Sequence, residues 1–209
     1  MKILLWLLFL LIAAVFFPRK TFALDPVIFL KVLDIDINDL KSADGDFLEV
    51  FKKLGKTKQL AKGDAAGYVG SVEYVLQNHS QMITFQITEC TTGYKLKTID
   101  GKKAKGKTVL RSSIERIEAG GLHLGMDAKD VEKVFAGSVG GGWTVEEALK
   151  KKGTQSVTYR KTVTGKGMDG SPQKYCDRIW IYLDFDKRGK LSLIDIWSGG
   201  CDDAACGEQ

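Results

Sequence analysis

The sequence reads DFLEVFKKLG at residues 46–55 and DVEKVFAG at residues 130–137. Each stretch has apolar residues at helical spacing and ends on glycine, which is typical of a short amphipathic helix. Each is followed by a Ser-Val-x-Tyr strand, SVEY at residues 71–74 and SVTY at residues 156–159. Two matches in nearly the same register predict an internal duplication, with coincidental α+β patterning as the alternative.

A second helix is predicted within the second copy. The sequence TVEEALKKKG at residues 144–153 has a Thr-x-x-Glu capping box, acidic residues in its first turn, lysines in its last turn and a terminal glycine. Alternating apolar residues then predict strands. We therefore predict the class α+β, with two tandem units that each contain a helix pair and an antiparallel sheet. The predicted units are residues 24–108 and 109–201, followed by a C-terminal tail at 202–209.

The N-terminus predicts export. After Lys2 the chain has an uncharged apolar run at residues 3–17, and small residues suit cleavage after Ala23. The run is shorter than the roughly 20 apolar residues that a membrane-spanning helix needs. Residues 1–23 are thus predicted to be a signal peptide of a periplasmic or secreted protein. Because Arg19 and Lys20 follow the run, an uncleaved N-terminal membrane anchor is the alternative.

The charge of the chain is concentrated in one segment. Removal of residues 1–23 leaves 28 basic and 26 acidic residues, so the mature chain is nearly neutral. Seven basic residues and one acidic residue lie within 95–111. Interspersed glycines indicate a solvated hairpin or linker there, with a site for an acidic surface or polyanion as the alternative. We predict no nucleic-acid partner.

Four cysteines in an exported chain predict two disulfides. They are Cys90, Cys176, Cys201 and Cys206. The sequence DKRG at residues 186–189 is typical of a hairpin turn, and pairing Phe185 with Lys190 places Cys176 across from Gly199, close to Cys201. The preferred pairing is therefore Cys176 with Cys201 and Cys90 with Cys206. Local closure of Cys201 with Cys206 is the alternative. The cysteine spacing does not suit zinc, and no metal site is predicted.

The string GLHLGMDAKDVEKVFAG at residues 121–137, followed by Tyr159 and a strand hairpin, resembles the opening motif of a group of small exported domains. That group includes the outer-membrane-assembly lipoprotein and β-lactamase inhibitory protein families. The resemblance covers most of the second copy and part of the first. It implies a tandem of helix-pair-plus-sheet units, one long or concave sheet surface, and protein binding in place of catalysis. The chain departs from these families in having no lipidation cysteine and in an inserted segment at residues 165–175.

Motifs for catalysis lack the context that they need. The G-x-G-x-x-G string at residues 165–170 is followed by Pro172 and a strand, whereas a dinucleotide site requires a helix. The two histidines, His79 and His123, belong to no nucleophile or metal signature. We predict no catalytic residue and no cofactor. The alternative is a periplasmic hydrolase or small-ligand-binding protein with a site between the two repeats, near His123 and clustered carboxylates.

The last predicted hairpin has one apolar face and one aromatic face. Alternation in residues 177–185 places Ile179, Ile181 and Leu183 on one side and Trp180 and Tyr182 on the other. The predicted binding residues on the second side are Trp180, Tyr182, Trp197, Arg178, Leu193 and Asp195. Aromatic residues with an arginine are typical of protein interfaces. The alternative is that the first copy or the helix at residues 144–152 covers this face inside the monomer.

These features predict an exported, non-enzymatic protein-binding module, either inhibitor-like or an envelope-assembly factor. Its binding surface would be the open aromatic sheet face of the second repeat. The expected partner is another envelope or extracellular protein. Contact with a membrane is expected only through an uncleaved N-terminal segment.

Overall fold

The computed structural model of the protein describes residues 23–40, 47–58, 68–78, 80–110, 114–166 and 170–199. The two α-helices in these residues are α1 (Leu48–Leu54) and α2 (Ala128–Phe135). The strands are β1 (Lys31–Val32), β2 (Ile35–Asp36), β3 (Tyr68–Val75), β4 (Gln81–Thr88), β5 (Thr91–Thr98), β6 (Thr108–Val109), β7 (Glu118–Ala119), β8 (Leu122–His123), β9 (Thr144–Lys151), β10 (Thr154–Lys166), β11 (Pro172–Phe185) and β12 (Leu191–Gly199). Short 3-10 helices occupy Pro26–Leu30, Ile37–Asp39 and Gly101–Ala104.

One eight-stranded sheet dominates the structure. Its order is β6-β3-β4-β5-β12-β11-β10-β9, and every neighbouring pair is antiparallel except β3 and β6. The strands β1 and β2 form a separate hairpin, as do β7 and β8. The antiparallel pairing of β5 with β12 joins the first half of the chain to the second. The aromatic face predicted from the last hairpin is therefore part of a much wider surface.

The chain has two three-stranded meanders, β3–β5 and β10–β12, and their strands pair in the same internal register. Tyr74 on β3 lies opposite Ile83 on β4, and Tyr159 on β10 lies opposite Ile179 on β11. In the next strands Phe85 pairs with Tyr94, and Ile181 pairs with Ile196. Tyr94 and Ile196 thus hold equivalent positions, and they lie opposite each other where β5 meets β12. A local twofold axis that passes near this pair therefore relates the two meanders.

The predicted class, two α+β units with a helix pair each, is wrong. The structure is mostly β, and its described residues contain one α-helix in each half and a single mixed sheet shared by both halves. Residues 144–151 form strand β9 instead of the predicted helix. Every side chain of β9 is exposed, while its backbone pairs with β10 along the whole strand. Hairpin pairing with β10, the next strand along the chain, has overridden the local helix signals of this segment.

The main core lies between one face of the sheet and the helices and small hairpins. Phe29, in the first 3-10 helix, stacks on Phe135 of α2 with ring centroids 5.4 Å apart. The hydroxyl of Tyr94 in the sheet donates to the Phe29 carbonyl at 2.9 Å, and that of Tyr74 donates to the carbonyl of Gly55 at 2.6 Å. Apolar residues from both halves belong to the same buried cluster. The helices and small hairpins therefore form a second layer on this face of the sheet.

The chain ends lie mostly outside the described residues. The signal peptide predicted at 1–23 is described only at Ala23, and the tail predicted at 202–209 is not described. Leu24 forms a parallel bridge with Val139 and is held by hydrogen bonds to Ser138 and Gly140. In the part of the chain that is described, no helix is both long enough and apolar enough to cross a membrane. Signal cleavage stays a prediction.

Candidate functional site

A pair of tryptophans lies at the centre of the second-half sheet face. Trp180 on β11 is directly opposite Trp197 on β12, and both are half-buried. Their neighbours along β11, Ile179 and Ile181, are buried on the core face. Tyr182 lies next to Trp180 on the same face and is 42% exposed. We call the surface formed by Trp180, Tyr182 and Trp197 the aromatic face.

The register of the last hairpin differs from the predicted one. Phe185 lies opposite Leu191, and a register shift follows between Asp184 and Phe185. Beyond it the pairing is displaced by two residues from the prediction. A displacement of two residues keeps every side chain on its predicted face, whereas a displacement of one would reverse the faces. The predicted faces are therefore those observed, but the two tryptophans are closer neighbours than the sequence indicated.

Glycine on a strand of the first half seats one of the tryptophans. Gly93 on β5 lies opposite Trp197, and a Cβ atom at position 93 would lie 2.7 Å from the indole. The indole thus packs over the backbone of β5, which explains its partial burial. Gly93 was not among the predicted site residues. A glycine inside a strand is a recognised sign of close backbone approach, but the partner strand could not be read from the local pattern.

Ion pairs border the aromatic face on two sides. Arg178 donates to the carboxylate of Glu146 at 3.0 Å, and Arg160 lies within 3.9 Å of the same carboxylate. On the other side Asp195 accepts from Lys95 at 2.8 Å. Arg178 and Asp195 were predicted as binding residues, and both already have partners. The borders of the face are therefore charged but largely neutralised.

Two further polar features complete the border. A hydrogen bond between Tyr182 and Asp184 raises the pKa of the Tyr182 phenol above its usual value. Leu193, the remaining predicted binding residue, is half-buried and lies between Asp184 on β11 and Lys97 on β5. All six predicted residues thus lie on one face of two adjacent strands. Glu146 and Lys95 were not predicted as site residues. They lie on β9 and β5, and the sequence did not show that these strands pair with β10 and β12.

The sequence offered two elements that could cover the aromatic face inside the monomer. These were a helix at residues 144–152 and the first copy. The segment 144–151 extends the sheet at its edge as β9. The described α-helices pack on the opposite, core side through residues such as Phe51 and Phe135. In the first half the corresponding face is covered at its far end, where Ala104 packs against Val75 and Met82. The aromatic face is consequently the sheet surface that neither α1 nor α2 occupies.

The alternative prediction was a small-ligand or hydrolytic site between the two repeats, and the structure has a cleft between the two halves. It has a volume of about 660 Å³. Its lining comprises Leu33, Asp34, Lys53, Leu54, Leu110, Ile114, Arg116 and Glu118. His123 is outside this lining, and both of its ring nitrogens are engaged, Nδ1 with the carbonyl of Leu124 and Nε2 with Arg116. Both nitrogens of the His123 ring therefore already have hydrogen-bond partners within the protein.

The described residues contain no group of three or more His, Cys, Asp or Glu side chains placed to bind a metal ion. Neither Cys90 nor Cys176 is a free thiol. Cys201 and Cys206 lie outside the described residues, so the pairing stays a prediction. Arg178 and Gly199 lie opposite each other on adjacent strands, and each is two residues from a cysteine, Cys176 and Cys201. His79 also lies outside the described residues.

Comparison of the chain with protein-family models, curated proteins and solved structures finds no significant match.

Proposed function

We propose that this chain is an exported, non-enzymatic protein-binding module that binds its partner through the aromatic face. The observation that carries the proposal is the Trp180–Trp197 pair beside the exposed Tyr182, on the sheet surface that α1 and α2 leave free. Tryptophan and tyrosine supply large contact area at low conformational entropy and dominate the binding energy of many interfaces. The sequence resemblance also implied protein binding through a sheet surface, although the helix pairs that it implied are not found in the described residues.

The construction of the aromatic face suits docking. Trp197 packs on the backbone at Gly93, and both tryptophans are half-buried on paired strands, so binding requires little ordering of these side chains. Arg178 and Asp195 at its borders already have opposite charges beside them. A partner that covers the tryptophans can therefore leave these ion pairs intact at the edge of the interface, where charges contribute little to affinity. The expected partner is another envelope or extracellular protein with a complementary apolar surface.

Photo-crosslinking tests where the partner binds. A photoreactive phenylalanine analogue at position 182 should capture a protein in the native cells. The same analogue at Leu48, which is 56% exposed on α1, is the matched control. Capture from position 182 and not from position 48 supports the aromatic face. Equal capture from both positions, or from position 48 alone, contradicts it.

Truncation of Trp180 tests the energetics with the captured partner. We expect Trp180→Ala to weaken binding by roughly 30-fold, because buried aromatic hot spots contribute about 2 kcal/mol and each 1.4 kcal/mol is tenfold. The melting temperature should change little, because the side chain is only half-buried in the free protein. Leu48→Ala should leave affinity unchanged. Unfolding of the Trp180→Ala protein would instead assign the ring to internal packing.

A further inference from the structure

Strand β9 presents a free edge of the sheet. It lies at the end of the strand order, and all eight of its residues are exposed. At the opposite end, β6 pairs with only Tyr74 and Val75 of β3. An edge strand leaves a row of backbone N–H and C=O groups along its outer side without strand partners. Such an edge is a template for another strand.

The charged residues of β9 fall into two groups. Glu146 pairs with Arg178 and Arg160, and Lys150 pairs with Glu132 of α2. No ion pair among the described residues involves Glu147 or Lys151.

Glu147 and Lys151 lie on the same face of β9, on either side of Leu149. This placement follows from their pairing with Thr158, Thr154 and Ser156 of β10. Four residues of strand separate them by about 13 Å, too far for an ion pair with each other. Leu149 between them is 45% exposed. Along this face of β9 the side chains are therefore acidic, apolar and basic in order. When two copies of the strand run antiparallel, each acidic residue can lie opposite a basic one.

We propose that β9 pairs antiparallel with β9 of a second copy of this chain, about a twofold axis at Leu149. Residues opposite each other in an antiparallel pair share a face. With the axis at Leu149, each Glu147 lies opposite the partner's Lys151, and the two Leu149 side chains lie opposite each other. An axis at Ala148 would place Glu147 opposite the partner's Leu149 and leave both charges unpaired. The charge pattern thus selects one register.

The bulge in β9 sets the length of the pairing. The β9–β10 register shifts between the pairs Glu147–Thr158 and Val145–Tyr159, so Glu146 is the extra residue. The regular part of the edge is therefore residues 147–151. Pairing over so short a length buries less surface than a standard stable interface, and the dimer should be weak and dependent on concentration. Because a twofold axis perpendicular to the sheet keeps faces on their own sides, both aromatic faces would lie on the same side of a sixteen-stranded sheet.

Sedimentation of the mature chain up to about millimolar concentration, which weak interfaces require, tests the dimer. Glu147→Lys and Lys151→Glu each place two like-charged pairs at the edge and should weaken dimerisation by roughly tenfold. The double variant Glu147→Lys/Lys151→Glu restores both pairs with the charges exchanged and should restore the dimer. Lys129→Glu, at an exposed position of α2, makes the same charge change as Lys151→Glu away from the edge and should have no effect.

The outcomes separate this proposal from the protein-binding proposal. A chain that stays monomeric throughout, or a dimer that ignores the single variants, overturns edge pairing. Failure of the double variant to recover does the same. Trp180→Ala should leave the dimer unchanged, so a dimer lost in that variant and retained in Glu147→Lys would assign the contact to the aromatic face instead of β9.

Discussion

Two residues in the turn between β1 and β2 have a backbone conformation that side chains disfavour. Leu33 has φ 52° and Asp34 has φ 59°. The equivalent turn between β7 and β8 has Gly120 at φ 57° and Gly121 at φ 83°. A hairpin turn with positive φ at both central residues is well suited to glycine, and other residues pay roughly 1–2 kcal/mol there, with less for Asp. The first hairpin therefore holds strain that the second avoids.

The two turns allow a reciprocal prediction. Asp34 is exposed, and its carboxylate makes no hydrogen bond or ion pair within the described residues. Asp34→Gly should therefore raise the free energy of unfolding by about 0.5–1 kcal/mol by removing strain. Gly121→Asp should lower it by a similar amount, because a Cβ atom there meets nothing closer than Val134 at 4.0 Å, so only the backbone strain changes. Urea unfolding measures both. A loss of stability in Asp34→Gly would show that this carboxylate is used.

The sequence predicts only those site residues that follow from the alternation of side chains along a single strand. Alternation along β11 and β12 places Trp180, Tyr182 and Trp197 on one face whatever the partner strand is. It cannot show that β5 lies beside β12, because that pairing joins residues about a hundred positions apart in the chain. Gly93 and Lys95, which seat and border the aromatic residues, enter the site through that pairing.

At the scale of elements, β9 is where the helix signals of a segment and its pairing in a β-hairpin disagree. Its sequence has a capping box and glutamates four residues before lysines, which stabilise an isolated helix by only a few tenths of a kcal/mol for each pair. In the sheet the same residues pair with β10 over its length. A helix as short as this is marginal without an apolar face to bury, so the hydrogen bonds offered by β10 decide the outcome. The meander strands and both helices, in contrast, have patterns that agree with their places in the core.

A substitution at Ala148 distinguishes a strand from a helix at residues 144–151, because the two structures predict changes in stability of opposite sign. It is exposed on β9 opposite Val157. Ala148→Thr should stabilise the protein by up to about 1 kcal/mol, because a β-branched residue favours a strand and pairs well with valine. In a helix the same change would destabilise by roughly 0.5 kcal/mol. Lys129→Thr on α2 is the control and should destabilise. Urea unfolding of Ala148→Thr that shows a clear loss of stability would argue for a helix at 144–151.

At the scale of the whole molecule, the two halves share one sheet and one core. Tyr74 and Tyr159 hold equivalent positions on β3 and β10, and both are almost fully buried. Burial raises the pKa of each phenol to about 12, and it raises the pKa of Tyr94 at the junction of the halves well above the usual value. Each half thus contains an equivalent buried phenol whose ionisation opposes folding.

Alkaline unfolding follows from these three tyrosines. Below about pH 10 the phenols are protonated in both the folded and the unfolded state, so they leave the stability unchanged. Between pH 10 and 12 the unfolded chain loses protons that the folded chain retains, and stability falls by up to about 1.4 kcal/mol per pH unit for each such tyrosine. Tyr74→Phe and Tyr159→Phe should each make this fall less steep. Urea midpoints measured across this pH range give the slopes. Because the halves share a core, one transition should report both; two transitions with separate sensitivities to Tyr74 and Tyr159 would mean that the halves unfold independently.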